Sequence, residues 1–180
     1  MATKIAAISG SLRAQSSNAA LLRAAARLAP DGTELIIEEH LAKLPHFNPD
    51  LDVEGGQAPG PVAAFRDFLS RAKAVLICTP EYAHGVPGSL KNALDWIVSS
   101  GELRGKPIGL IIASPGGGEL ARVSLTSTLE VMEARVLTEA STTVRNARKV
   151  VDDEGNVTEP RFAEELRRSL ALLAAASSSA

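Results

Sequence analysis

Three short stretches of the chain combine small residues, hydroxyls and prolines in ways that suit contact with a polar ligand: Gly10-Ser11-Leu12-Arg13-Ala14-Gln15-Ser16-Ser17-Asn18, Pro80-Glu81-Tyr82-Ala83-His84-Gly85-Val86-Pro87, and Ser114-Pro115-Gly116-Gly117-Gly118. A phosphate needs several donors converging from one side. In the first stretch Ser11, Ser16 and Ser17 bring hydroxyls and Arg13 a charged fork, while Asn18 can cap a helix whose first N–H groups stay free. Neither Gly-x-x-x-x-Gly-Lys nor Gly-x-Gly-x-x-Gly occurs there, which argues against a nucleotide triphosphatase or a Rossmann dinucleotide site. In the second stretch Pro80, Gly85 and Pro87 restrict or widen the backbone so that N–H groups are exposed, and Tyr82 and His84 can flank a ligand. The glycines of the third allow the backbone to come close to a ligand edge carrying negative charge. Each stretch also has a plain structural reading: a Ser/Asn helix cap, a strand-to-helix turn with His84 in water, and a flexible glycine loop. Taken singly, the first and third stretches and His84 favour that plain reading.

Each stretch directly follows a short apolar run. Ile5 to Ile8, Leu35 to Ile37, Ala74 to Cys78 and Ile108 to Ala113 have the composition of buried parallel strands, and Val136, Leu137 and nearby threonines place a fifth strand within Arg135 to Val144. Between them lie helical patterns. Asn18 to Leu28 ends at Pro30-Asp31-Gly32, and Val62, Phe65, Phe68 and Leu69 share a face. Ser89 to Ser99 carries a stripe of Leu90, Ala93, Leu94 and Ile97; Glu119 to Val131 and Phe162 to Leu173 complete the set. This alternation predicts right-handed βαβ crossovers: an α/β, three-layer α/β/α sandwich around a five-stranded parallel sheet of flavodoxin-like order 2-1-3-4-5. Ligands of such sheets bind at the carboxyl ends of the strands, which is where the three stretches fall. One domain is expected over residues 1–173, with a frayed Ala/Ser tail over 174–180.

Composition narrows the function. Of 180 residues 45% are hydrophobic and 22% charged, and a net charge of −2 with scattered Lys and Arg argues against a nucleic-acid surface. Cys78 is the only cysteine, which excludes an internal disulfide and a cysteine zinc site, and the histidines have no metal-ligand spacing. No long apolar segment suggests a signal peptide or membrane span, so a cytoplasmic protein is expected. There is no catalytic triad, carboxylate pair or Gly-x-Ser-x-Gly elbow.

Gly10 to Asn18 matches Gly-Ser-Leu-Arg-x-x-Ser-x-Asn, and Pro80 to Trp96 matches Pro-Glu-Tyr-x-x-x-x-Pro-Gly-x-Leu-Lys-Asn-Ala-x-Asp-Trp. In both the chain resembles the NAD(P)H-dependent FMN reductases, a flavodoxin-like family, over nearly its whole length. The resemblance implies that Ser11, Arg13, Ser16, Ser17 and Asn18 hold the FMN phosphate. It implies that Pro80, Glu81, Tyr82, Ala83, His84 and Gly85, with Ser114, Gly116, Gly117 and Gly118, line the isoalloxazine ring. Ala83 stands where many members have Asn, which leaves more of the contact to main-chain donors. Leu44-Pro45-His46-Phe47-Asn48-Pro49-Asp50 is similar to a family loop in which Phe47 replaces a tyrosine. Lys91, Asn92, Asp95 and Trp96 are expected to fix helix docking or a subunit contact rather than touch flavin. The implied activity takes hydride from NADPH or NADH through FMN to flavins, quinones or similar small-molecule acceptors by a ping-pong route, in a homodimer or homotetramer, with no nucleic acid, membrane or metal involved. The flavin carries this chemistry, so no protein acid, base or nucleophile is required. A non-catalytic electron carrier or scaffold on the same fold is the alternative, and a phosphate-binding hydrolase ranks behind it.

Overall fold

The sheet is built from the most apolar runs of the chain. A computed structural model describes residues 2–13, 15–38, 40–53 and 55–177. Its elements are β1 (Thr3–Ser9), α1 (Ser17–Arg27), β2 (Thr33–Ile37), α2 (Gly60–Ser70), β3 (Ala74–Thr79), α3 (Gly88–Asp95), β4 (Pro107–Ala113), α4 (Glu119–Val131), β5 (Arg135–Val136), β6 (Thr142–Val144), α5 (Ala147–Val150) and α6 (Pro160–Ser177). The strand order is β2-β1-β3-β4-β5, the flavodoxin-like order, and every pairing is parallel. Every residue of β3 and β4 is buried, as central strands covered on both faces require.

Strand side chains alternate between two cores. Ile5, Ala7, Leu76, Cys78 and Ile111 pack under α1 and α6 with Leu21, Leu22, Leu166, Leu170 and Leu173. Ala6, Ile8, Val75, Ile77, Leu110 and Ile112 pack on the other face with Phe65, Leu69, Leu90, Leu94, Leu125 and Leu129 of α2, α3 and α4. Period-2 alternation in the strands and helical stripes over them produce the three layers.

The fifth strand departs from expectation. It is two segments, β5 against Pro107–Ile108 and β6 against Ile111–Ala113, with residues 137–141 standing opposite Gly109 and Leu110 only. The surplus residues form a 3-10 turn at Thr138–Ala140. Ser141 repairs the ladder: its Oγ accepts from the Leu110 N–H at 3.0 Å and donates to the Leu137 carbonyl at 2.7 Å. Gly109 makes room, since a Cβ there would lie 2.9 Å from the Ala140 carbonyl oxygen.

The tail also departs from expectation. α6 continues through Ser177 with Leu173 and Ser177 buried, and Arg135 donates to the Ala176 carbonyl at 3.0 Å. Alanine is the strongest helix former, so 174–177 prolong the helix where fraying was expected, while 178–180 lie outside the described residues. α3 is shorter than the predicted Ser89 to Ser99: the regular helix stops at Asp95 and turns follow to Ser100. Among the described residues no helix is long and apolar enough to cross a membrane.

The tight seam at the fifth strand is testable. Gly109→Ala is expected to destabilise the protein by about 1–3 kcal/mol through overpacking, read as a lower urea midpoint at unchanged slope. Gly60→Ala, at a position with nothing within 4 Å, is expected to stay within about 0.5 kcal/mol of the parent. Equal midpoints for the two variants would remove the Ala140 contact as the reason for glycine at position 109.

Candidate cofactor site

The loops after β1, β3 and β4 leave the same edge of the sheet, and the first two touch. The Gly10 N–H donates to the Cys78 carbonyl at 2.8 Å, continuing the β1–β3 ladder past the strand end. A Cβ on Gly10 would lie 2.4 Å from Thr79 Oγ1, so only glycine lets the chain leave β1 at this point. Beyond it the loop folds on itself: Ser9 Oγ accepts from Ser11 N–H at 3.3 Å and donates to the Ser11 carbonyl at 3.0 Å, and Arg13 N–H donates to Ser11 Oγ at 3.4 Å. Ala14 lies outside the described residues.

The helix cap is shifted from the expected place. Ser16, not Asn18, is the N-cap of α1, its Oγ accepting from the Asn18 N–H at 3.2 Å. Asn18 is 5% exposed and turns inward, where its Oδ1 accepts from the Cys78 thiol at 3.2 Å. Burial pushes the Cys78 thiol pKa up, so the sulfur keeps its proton and serves as the donor. The Asn18 Nδ2 has no protein acceptor among the described residues. Ser16 accepts through its oxygen and retains its own hydroxyl proton to donate.

The second loop is a tight reversal. Tyr82 and Gly85 exchange backbone bonds at 2.9 and 3.0 Å around Ala83 at φ 48° and His84 at φ 63°, the pattern of a type I′ turn. The N–H groups of Tyr82 and Gly85 are therefore engaged within the turn. Those of Glu81, Ala83 and His84 have no protein acceptor among the described residues. Tyr82 is 56% exposed. The His84 side chain is exposed as well and stands 3.9 Å from a Glu81 carboxylate oxygen. The other carboxylate oxygen of Glu81 accepts from the Ala121 N–H at 2.9 Å, in the first turn of α4. Glu81 thus caps a helix through its side chain and offers the site its main chain.

The third loop is held between β6 and α4. Ser114 N–H donates to the Val144 carbonyl at 3.1 Å, and Gly117 N–H to the Ser114 carbonyl at 3.0 Å. Gly118, at φ 69°, is the N-cap of α4, where a Cβ would lie 2.3 Å from Ile112 Cγ2. Gly118 has no side chain to cap α4, and Glu81 supplies the missing acceptor from the neighbouring loop.

A fourth segment is clamped to α3. The Asn92 amide accepts from the Phe47 N–H at 2.8 Å and donates to the Pro45 carbonyl at 3.0 Å, and the Trp96 indole N–H donates to the same carbonyl at 2.8 Å. Phe47 and Trp96 meet edge-to-face, centroids 5.1 Å apart. Asn92 and Trp96 therefore position the Pro45–Phe47 loop, while Lys91 and Asp95 pair with each other on the helix surface. Further along, the Ser99 hydroxyl and the Arg66 guanidinium hold the Asp52 carboxyl below the ordinary carboxylate range, which keeps that end of the loop pinned at neutral pH.

Two residues at this edge have no motif to announce them. A cleft of about 420 Å³ beside the third loop is lined by Arg13, Ser17 and Ser114 together with Arg145 and Arg148. The available signal was topological: Arg145 follows the last strand segment, and a loop after a parallel strand falls on the ligand edge.

Small residues at a helix start, unpaired main-chain N–H groups on a turn and glycines that admit close approach fit a phosphorylated, flat, polar ring system. A family model described as NADPH-dependent FMN reductase matches residues 3–149. The chain is 32% identical to an NAD(P)H-dependent FMN reductase of Pseudomonas aeruginosa, over 94% of this chain and 92% of that one. It is 34% identical to a quinone reductase of Pseudomonas putida, over 85% of this chain and 83% of that one. Among solved structures it is similar to FerB, a flavoenzyme NAD(P)H:(acceptor) oxidoreductase from Paracoccus denitrificans, with a TM-score of 0.86, 30% identity and 98% of each chain covered. With the three-loop edge and its sequence motifs, these matches show that the chain belongs to the NADPH-dependent FMN reductase family, flavodoxin-like oxidoreductases that use FMN as cofactor and NAD(P)H as reductant.

Proposed function

We propose that this protein reduces small-molecule acceptors of the flavin and quinone class with NADPH or NADH in two successive half-reactions, using FMN held across the β1, β3 and β4 loops. The observation that carries this reading is the locking of those loops into one edge by Gly10 against Thr79 and by Glu81 on Ala121. Bound FMN supplies the redox chemistry. The chain supplies the rest. Ser11, Arg13, Ser16, Ser17 and Asn18 hold the phosphate with hydroxyl, guanidinium and amide donors. Pro80 to Gly85 present the Glu81, Ala83 and His84 N–H groups to the ring, while Ser114, Gly116, Gly117 and Gly118 approach it with backbone. Phe47, fixed by Asn92 and Trp96, adds an apolar wall beside this edge.

A homodimer or homotetramer belongs to the same proposal. Leu120 and Val123 lie one turn apart on α4 and are 51% and 57% exposed, an apolar face on the element that Glu81 ties to the site. A cytoplasmic location is proposed with it, in keeping with NAD(P)H as reductant and a single cysteine, Cys78.

Ala83 carries a local cost in this site. An L-residue with a Cβ is disfavoured at φ 48°, and Asn tolerates that region better than Ala or a β-branched residue does.

The decisive measurement is a visible spectrum of the protein with FMN, followed by anaerobic addition of NADPH and, separately, NADH. Bleaching of bound flavin is expected; binding without bleaching by either nucleotide would reduce the protein to a carrier. Arg13→Ala is expected to weaken FMN binding by about tenfold at an unchanged unfolding midpoint, as loss of a charge-assisted hydrogen bond requires, and unchanged affinity would remove Arg13 from the site. Ala83→Asn is expected to stabilise the apoprotein by about 0.5–1 kcal/mol, about 1–4 °C in thermal midpoint, and Ala83→Val to lower it. The opposite order of midpoints would show that the turn is not held in the left-handed region.

A further inference from the structure

We propose that Arg145, in the turn after β6, and Arg148, in α5, form with Arg13 a clamp for a phosphate monoester dianion, a subsite that the Gly10–Asn18 loop does not complete alone. The inference rests on the flavin-site reading above.

Charge is the first observation. The cleft is lined by three arginines and by no carboxylate, in a chain whose net charge is −2. Arg66, Arg71, Arg104 and Arg122 form ion pairs, whereas Arg161, Arg167 and Arg168 stand singly along α6; what sets the cleft apart is that three arginines line it together. Among the described residues the side chains of Arg13, Arg145 and Arg148 make neither an ion pair nor a hydrogen bond to protein. Three like charges converging on one cleft repel one another, and the arrangement is relieved by an anion placed between them.

Placement is the second. Arg145 is exposed, yet its guanidinium lies against the glycine loop: a Cβ built on Gly117 would be 3.2 Å from Arg145 Cζ and Nη2. Gly117, at φ 94°, gives that guanidinium a flat surface to lie on. The turn is set by the backbone as well, because the Ser114 N–H bonds the Val144 carbonyl at 3.1 Å, one residue before Arg145.

An unpartnered hydroxyl is the third. Ser114 is only 6% exposed and lines the cleft, but among the described residues its hydroxyl has no hydrogen-bond partner. The hydroxyl is open to the cleft rather than sealed in the core, so it can donate to an anion placed there.

Chemistry then selects the class of ligand. Guanidinium forks match phosphate oxygens bidentately, and a phosphate monoester brings close to two negative charges at neutral pH, whereas a quinone or a bare isoalloxazine brings none. Two phosphate monoesters belong to the proposed reaction, the 5′-phosphate of FMN and the 2′-phosphate of NADPH. Riboflavin and NADH are their counterparts without the monoester.

The test is the Arg145→Gln/Arg148→Gln double variant of the full chain, which removes both charges and leaves shorter polar side chains. Flavin fluorescence quenching on the apoprotein gives dissociation constants for FMN and riboflavin, and steady-state kinetics of the FMN-loaded protein give KM for NADPH and NADH. A rise of about tenfold for FMN with riboflavin unchanged supports the clamp and assigns it the flavin phosphate. A similar rise in KM for NADPH alone, with FMN affinity retained, supports it and assigns the 2′-phosphate. Arg145→Lys/Arg148→Lys is expected to recover part of either loss, since charge returns without the fork. Four unchanged constants, or equal losses for the phosphorylated and unphosphorylated member of each pair, overturn the clamp. Wild-type protein that bound neither flavin would instead overturn the flavin-site reading and this inference with it.

Discussion

The site depends first on the absence of a side chain at position 10. β1 and β3 run side by side, and the chain leaving β1 passes directly over Thr79, which is fully buried at the end of β3. Thr79 Oγ1 donates to the Pro80 carbonyl at 3.1 Å, and Ser89 Oγ, in the first turn of α3, donates to the Gly10 carbonyl at 3.3 Å. One crowded contact therefore sets the spacing among the first loop, the second loop and the helix that follows it. Any Cβ at Gly10 would have to displace Thr79, whose Cβ would stand 2.9 Å away, or lift the Ser11–Asn18 loop from the edge. Because protein interiors transmit strain rather than absorb it, the loops after β1 and β3 keep a fixed relation.

Glu81 extends that relation to the third loop. Its carboxylate meets the free N–H groups at the start of α4, where a negative charge is favoured by both hydrogen bonding and the helix dipole. Gly118 must adopt a left-handed conformation under Ile112, so the residue at that corner cannot carry a capping side chain. The acceptor then comes from the loop next door, and capping a helix becomes a way of joining two loops. Glu81 is read in the sequence as part of a ligand-binding motif, yet its side chain acts through positioning.

Legibility in the sequence followed range. Strand order and both helix layers were readable because apolar runs and 3.6-residue stripes are local patterns, as in β3 and α4. The broken fifth strand was not, since the break needs Ser141 to replace a ladder partner and Gly109 on another strand to admit Ala140. Ser16 and Asn18 are both acceptable caps, and the decision between them lay with Cys78, a residue far along the chain that gives Asn18 a buried partner. Asn92 and Trp96 were legible as anchors, but that their cargo is the Pro45–Phe47 loop shows only in three dimensions. Arg145 and Arg148 read as ordinary solvated charges until topology brings them beside Arg13.

That convergence has a cause in the architecture. In a parallel sheet every helix starts at the carboxyl edge of the strand before it, so α1, α3 and α4 all present their N-termini there. Partial positive charge accumulates at this edge before any side chain is counted. Carboxylates are drawn to it, and Glu81 answers by bonding α4 directly. Arginines placed at the same edge work against the dipoles and gain nothing from them, so three lining a single cleft add nothing to the stability of the fold there. The proposed phosphate dianion would supply the opposing charge, one that exceeds what the helix ends alone would hold.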